Sequence, residues 1–65
     1  MFSTKEERLK IQEDELLEIF LLIEQNNFKA SKEATERYAK LRGITIMSIA
    51  FAEVKAKYKM FMENL

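Results

Sequence analysis

From Met47 to Leu65 the chain carries Met47, Phe51, Val54, Tyr58, Phe61 and Leu65 at alternating spacings of four and three. That spacing stacks all six on one face of an α-helix. A second line, Ile49, Ala52, Ala56 and Met60, falls on the opposite face. A surface helix of a small domain needs only one buried face. Two such faces call for a place inside a bundle or against a second chain. This helix is therefore expected to be the central element, with one face on the rest of the chain. The other face is expected to meet a second copy, together with Leu17 and Leu21, or with Ile11 and Leu22, of the first helix.

The rest of the pattern is helical too. There is no Pro, Gly43 is the only Gly, and alternation of period two is absent. Strands and hairpins depend on turn residues that this chain lacks. The spacing predicts an all-α fold with helices over about residues 4–26, 31–42 and 45–64, in a single domain spanning 1–65. Ser3 with Glu6, or Thr4 with Glu7, fits a capping box at the start of helix 1. Its stripe is Leu9, Leu16, Phe20 and Ile23, flanked by Ile19, and residues 16–23 are apolar almost all round. Asn26 and Asn27 are poor helix formers and mark its end. Ser31 is the expected N-cap of helix 2, and Ala34, Tyr38 and Leu41 its inner face. Gly43 fits the position after a helix C-terminus, and Thr45 is placed to cap helix 3. Were Gly43 merely tolerated within a helix, residues 31–64 would form one long helix.

A chain of 65 residues buries only ~60% of the surface its unfolded form exposes. Chains of this size commonly add a disulfide, a metal or a partner. With no Cys and no His, disulfides and the usual zinc ligand sets are excluded. Self-association remains, and a hydrophobic content of 48% supports it. A homodimer with intermolecular helix packing is expected.

Eleven basic residues balance eleven acidic ones, but unevenly along the chain. Residues 1–27 hold three basic and seven acidic residues; residues 28–65 hold eight basic and four acidic. Such asymmetry marks either a nucleic-acid face or a fold whose acidic and basic parts pack together, in one chain or two. The second reading is favoured here.

The chemistry of an enzyme is missing. Without His or Cys the commonest triads and metal sites are unavailable. No Gly-rich loop exists to cradle a phosphate, and pairs such as Glu13 and Glu15 read as solvated helix surface. No catalytic residue, cofactor or metal is expected. The N-terminus lacks the pattern of a signal peptide. The longest apolar run, residues 19–23, is far short of the ~20 residues that span a bilayer. A cytoplasmic protein without a membrane partner is expected, although Lys55, Lys57 and Lys59 beside Met60, Phe61 and Met62 carry an interfacial pattern.

Residues 35–54 can be laid on a further pattern. Ala39, Gly43 and Ile49 take the small-residue, turn-glycine and core-aliphatic positions, with Tyr38 and Ile44 at two other core positions. At this level the segment resembles the helix-turn-helix module. The resemblance implies that helix 3 enters a DNA major groove while helix 2 crosses the backbone. Two departures oppose it. Arg42 stands at a position usually apolar in the module. The groove-facing positions would be Thr45, Ile46, Met47, Ala50, Phe51 and Val54, of which only Thr45 is polar, whereas base edges are read by polar side chains.

The expected function is therefore a non-enzymatic protein–protein interaction module, a regulator, adaptor or inhibitor acting as a helical homo-oligomer. Its interface candidates are Leu17, Leu21, Leu22, Ile49, Ala52, Ala56 and Met60. The alternative is a small DNA-binding or transcription-associated regulator that contacts phosphates through Lys29, Lys32, Arg37, Lys40, Arg42, Lys55 and Lys59.

Overall fold

The computed structural model describes residues 4–65. Ser3, one of the two proposed caps of the first helix, lies outside them. Three helices follow one another: α1 (Lys5–Glu24), α2 (Phe28–Arg42) and α3 (Met47–Glu63).

Thr4 starts α1, its hydroxyl accepting the Glu7 amide at 3.1 Å. The α1–α2 corner is tighter than the expected loop, because two asparagines perform both capping jobs. Asn26 adopts the left-handed conformation at φ 58, which Asn tolerates better than most residues. Its amide then donates to Ile23 and that of Asn27 to Leu22, the double closure that ends many helices. The Asn27 side chain next accepts the Ala30 amide at 3.3 Å and opens α2. Helix 2 therefore begins at Phe28, three residues before the expected start. Ser31 is not its cap; the Ser31 hydroxyl donates to the Phe28 carbonyl inside the first turn.

Gly43 does break the chain into two helices. At φ 73 it lets its own amide donate to Lys40 and that of Ile44 to Ala39, the same closure as at Asn26. Thr45 does not cap α3. Ile46 occupies that position, with no side-chain hydrogen bond, and the helix begins two residues later than expected.

The buried residues are Ile19 and Phe20 of α1, Ala34, Thr35, Tyr38 and Ala39 of α2, and Ala50 and Val54 of α3. Leu16, Leu22, Ile23 and Tyr58 pack around the cluster they form. The Thr35 hydroxyl donates to Ser31 at 2.7 Å, so its burial leaves no polar group unpaired.

The central helix is α2, not α3. It packs against both neighbours, while α3 rests mainly on α2. Between α1 and α3 the contact runs through side chains near their C-terminal halves. There Phe20 meets the rings of Tyr58 and Phe61 at centroid distances of 5.4 and 5.1 Å, and the Tyr58 hydroxyl donates to Glu24. The two-faced pattern of α3 resolves accordingly. Its 4-3 stripe faces inward, with Val54 buried and Met47 and Tyr58 half-buried, while Phe51, Phe61 and Leu65 stay substantially exposed. Its second line faces solvent.

Candidate protein interface

Several exposed apolar side chains fall on two surfaces, while Leu9, Phe28, Leu41 and Ile46 are exposed elsewhere. The first is the outer line of α3, where Ile49 is 53% and Met60 63% exposed, with Ala52 and Ala56 exposed between them. The second is the seam between α1 and α3. Leu17 and Leu21 stand one helical turn apart on α1 and are 50% and 57% exposed. With Phe20 and Glu24 they form one wall of an open cleft of about 240 Å³, and Tyr58 and Phe61 form the other. Tyr58 also borders a shallow depression of about 460 Å³ along α3, whose other residues are Lys55, Lys59, Met62 and Glu63. Tyr58 thus borders both hollows.

Six of the seven interface candidates, Leu17, Leu21, Ile49, Ala52, Ala56 and Met60, are exposed. Leu22 is the exception: it packs against the core cluster and is not a surface residue. The seam also recruits Tyr58, Phe61 and Met62. Their periodicity assigned the first two to the core, and only the shallow seating of α3 leaves them reachable.

The phosphate-contact candidates divide. Arg37 is held by Glu15 at 3.0 Å and Glu18 at 3.6 Å. Arg42 makes two bonds of 2.9 Å to the Glu53 carboxylate, and Tyr38 donates to the same carboxylate at 2.5 Å. These two arginines are therefore engaged in fastening helices together. Lys29, Lys32, Lys40, Lys55 and Lys59 are exposed, with Lys40 beside Arg8, Ile11, Gln12 and Leu41 in an open hollow of about 300 Å³.

The Tyr38–Glu53–Arg42 cluster has its own electrostatics. The Arg42 guanidinium, then the Tyr38 hydroxyl, hold the Glu53 carboxyl down at about 2. Burial, then the hydrogen bond to Glu53, pushes the Tyr38 phenol up to about 12. All three groups keep their ordinary ionisation states at neutral pH and act as a clamp between α2 and α3. Arg42 thereby explains its own departure from the helix-turn-helix pattern: it is an ion-pair partner at the helix junction.

The remaining helix-turn-helix positions are only partly matched. Ala39 is buried and Gly43 turns the chain, as the module requires. Ile49, assigned to the core, is instead on the outer face, and Ala50 is buried in its place. Of the groove-facing positions, Ala50 and Val54 lie in the core and Met47 is half-buried.

Among the described residues no group of three or more carboxylates is arranged to hold a metal ion, and no helix is long and apolar enough to cross a membrane. Compared with protein-family models, curated proteins and solved structures, the chain matches none.

Proposed function

We propose that this chain is a small non-enzymatic protein–protein interaction module, a regulator, adaptor or inhibitor that works as a helical homodimer. The observation that carries the reading is the size and placement of its uncovered apolar surface. Leu17 and Leu21 on α1, and Ile49, Phe61 and Met60 on α3, are large apolar side chains left open to water by a three-helix chain. Scattered exposed apolar residues need no explanation, but contiguous tracks of them mark interaction surfaces. A chain this short also gains stability from covering them. Its sequence, without His or Cys, lacks the side chains that the commonest catalytic and metal sites use.

A DNA-binding reading retains the α2–turn–α3 succession and five exposed lysines in its support. Against it, the groove-facing side chains of α3 are apolar and partly buried, and both arginines of α2 are committed to carboxylates. Sedimentation velocity together with titration of a random 20-base-pair duplex at two salt concentrations separates the readings. The proposed module forms a dimer at micromolar concentration and does not bind the duplex. A monomer that binds duplex with an affinity falling steeply with salt would replace it with the alternative.

A further inference from the structure

Along the edge that α1 shares with α2, acid meets base at one end and base meets base at the other. Glu15 and Glu18 of α1 hold Arg37 of α2 at 3.0 and 3.6 Å. Toward the α1 N-terminus, Arg8 of α1 and Lys40 of α2 instead line one open hollow of about 300 Å³. Ile11 and Leu41 give that hollow its apolar lining. Gln12, whose side-chain amide donates to the Leu41 carbonyl at 3.4 Å, is its only neutral polar side chain. Among the described residues no carboxylate lines the hollow. Nor do Arg8 and Lys40 make an ion pair among them, whereas Arg37 and Arg42, the other two arginines of the chain, each do. From this arrangement we infer that the hollow binds a small organic anion, a monocarboxylate carrying a short apolar chain.

The argument is one of unmatched charge beside an apolar floor. Two cations on one hollow repel each other, and no side chain lining it offsets them. The opposite charge has to come from outside the chain. An arginine fork matches the two oxygens of a carboxylate. The Lys40 ammonium adds a second charge from the other helix, so one carboxylate bridges α1 and α2. Gln12 keeps a second amide proton to donate. Ile11, which is half-buried, and Leu41 give the rest of the ligand an apolar surface to lie on. The volume of about 300 Å³ equals that of about ten liquid waters, which is room for a chain of about eight carbons.

Other ligands fit less well. Inorganic phosphate would match the two cations and leave Ile11 and Leu41 facing water. A neutral apolar molecule would cover those two and leave the cations unmatched. A duplex backbone calls for a longer run of cations, and Arg37 and Arg42, on the same helix as Lys40, are held by carboxylates. The inference does not rest on self-association. The hollow shares no lining residue with the α1–α3 cleft or with the depression along α3.

The test is an NMR titration of the isotope-labelled full chain at constant ionic strength, with octanoate, acetate, inorganic phosphate and octanol as separate probes. Octanoate should shift the amides around Arg8, Gln12 and Leu41 saturably, with a dissociation constant in the millimolar range. Acetate and phosphate should bind about tenfold more weakly or worse, and octanol should give no saturable shift there. Arg8→Gln and Lys40→Gln, both at exposed positions, should each weaken octanoate about tenfold. Lys55→Gln with Lys59→Gln, also exposed, should bind as the parent does. Far-UV circular dichroism checks that each variant is folded. No saturable shift up to about 20 millimolar octanoate would overturn the site. So would shifts centred away from the hollow, or binding that survives Arg8→Gln combined with Lys40→Gln. Phosphate binding as tightly as octanoate would overturn the carboxylate assignment, and octanol doing so would overturn the role of charge. A monomeric parent that binds octanoate would refute the dimer and leave this site standing. A dimeric parent that does not bind it would do the reverse.

Discussion

Replacing Glu53 by Gln should destabilise the fold and remove part of its dependence on acid. The Glu53 carboxylate joins α3 to α2 through two bonds from Arg42 and one from Tyr38. Its carboxyl is held at about 2, against an ordinary value of 4.5. Converted in full, that difference corresponds to about 3 kcal/mol of stability at neutral pH. The side chains of Arg42 and Glu53 are 39% and 23% exposed, so solvent screens the pair. A discounted figure of roughly 1–2 kcal/mol is the expectation. The sign follows from the depressed value. The contribution is present in full above the carboxyl's unfolded range and is lost as pH falls from about 4.5 toward about 2. Urea unfolding followed by circular dichroism, at one protein concentration and at pH 7, 4 and 2.5, measures it. At pH 7 the parent should exceed Glu53→Gln by roughly 1–2 kcal/mol, and the gap should fall to about a quarter of that by pH 2.5. Taking the difference between two chains cancels the other carboxyls. A gap below ~0.3 kcal/mol at pH 7, or one that persists unchanged at pH 2.5, would refute the clamp.

Other expectations are checked by the same unfolding assay. Phe20→Ala, which removes a buried ring packed on Tyr58 and Phe61, should cost about 3–5 kcal/mol, whereas Phe51→Ala, at an exposed position, should cost about 1 kcal/mol or less. Gly43→Ala meets no neighbouring atom but must hold φ 73, so about 1 kcal/mol of backbone strain is expected. Asn27→Ala removes the cap of α2 and should cost about 1 kcal/mol. In alkali, stability should fall as pH rises from 10 toward 12, because Tyr38 ionises more readily in the unfolded chain; absorbance titration should show a tyrosine that resists ionisation until unfolding.

Much of this fold is written locally. The caps at Thr4 and Gly43 and the ends marked by Asn26 are decided by a few neighbouring residues, and their signals read correctly. Asn27 was equally local. Its capping role was hidden because Ser31 offers the same chemistry four residues later, and only the left-handed turn at Asn26 decides between them. The facing of α3 is not a local matter. Both of its sides are apolar, so periodicity finds two buried faces where the fold buries one. Ala50, which belongs to neither line, is fully buried. The same ambiguity misassigned Ile49 in the helix-turn-helix register. In α1, residues 16–23 are apolar nearly all round, so pattern alone could not separate the half-buried Leu22 from the exposed Leu21. The exposure of Leu17, Leu21, Ile49, Ala52, Ala56 and Met60 was legible in the pattern. The α1–α3 cleft was not, because it depends on how deeply α3 sits.

The central claim is that the uncovered apolar surface exists to pair two copies. Sedimentation equilibrium of the full chain from micromolar to about 100 micromolar tests it most directly. The account predicts a single folded species of twice the chain mass over most of that range, dissociating only on dilution. A well-folded species of one chain mass throughout, with no trend toward association at the upper end, would contradict it.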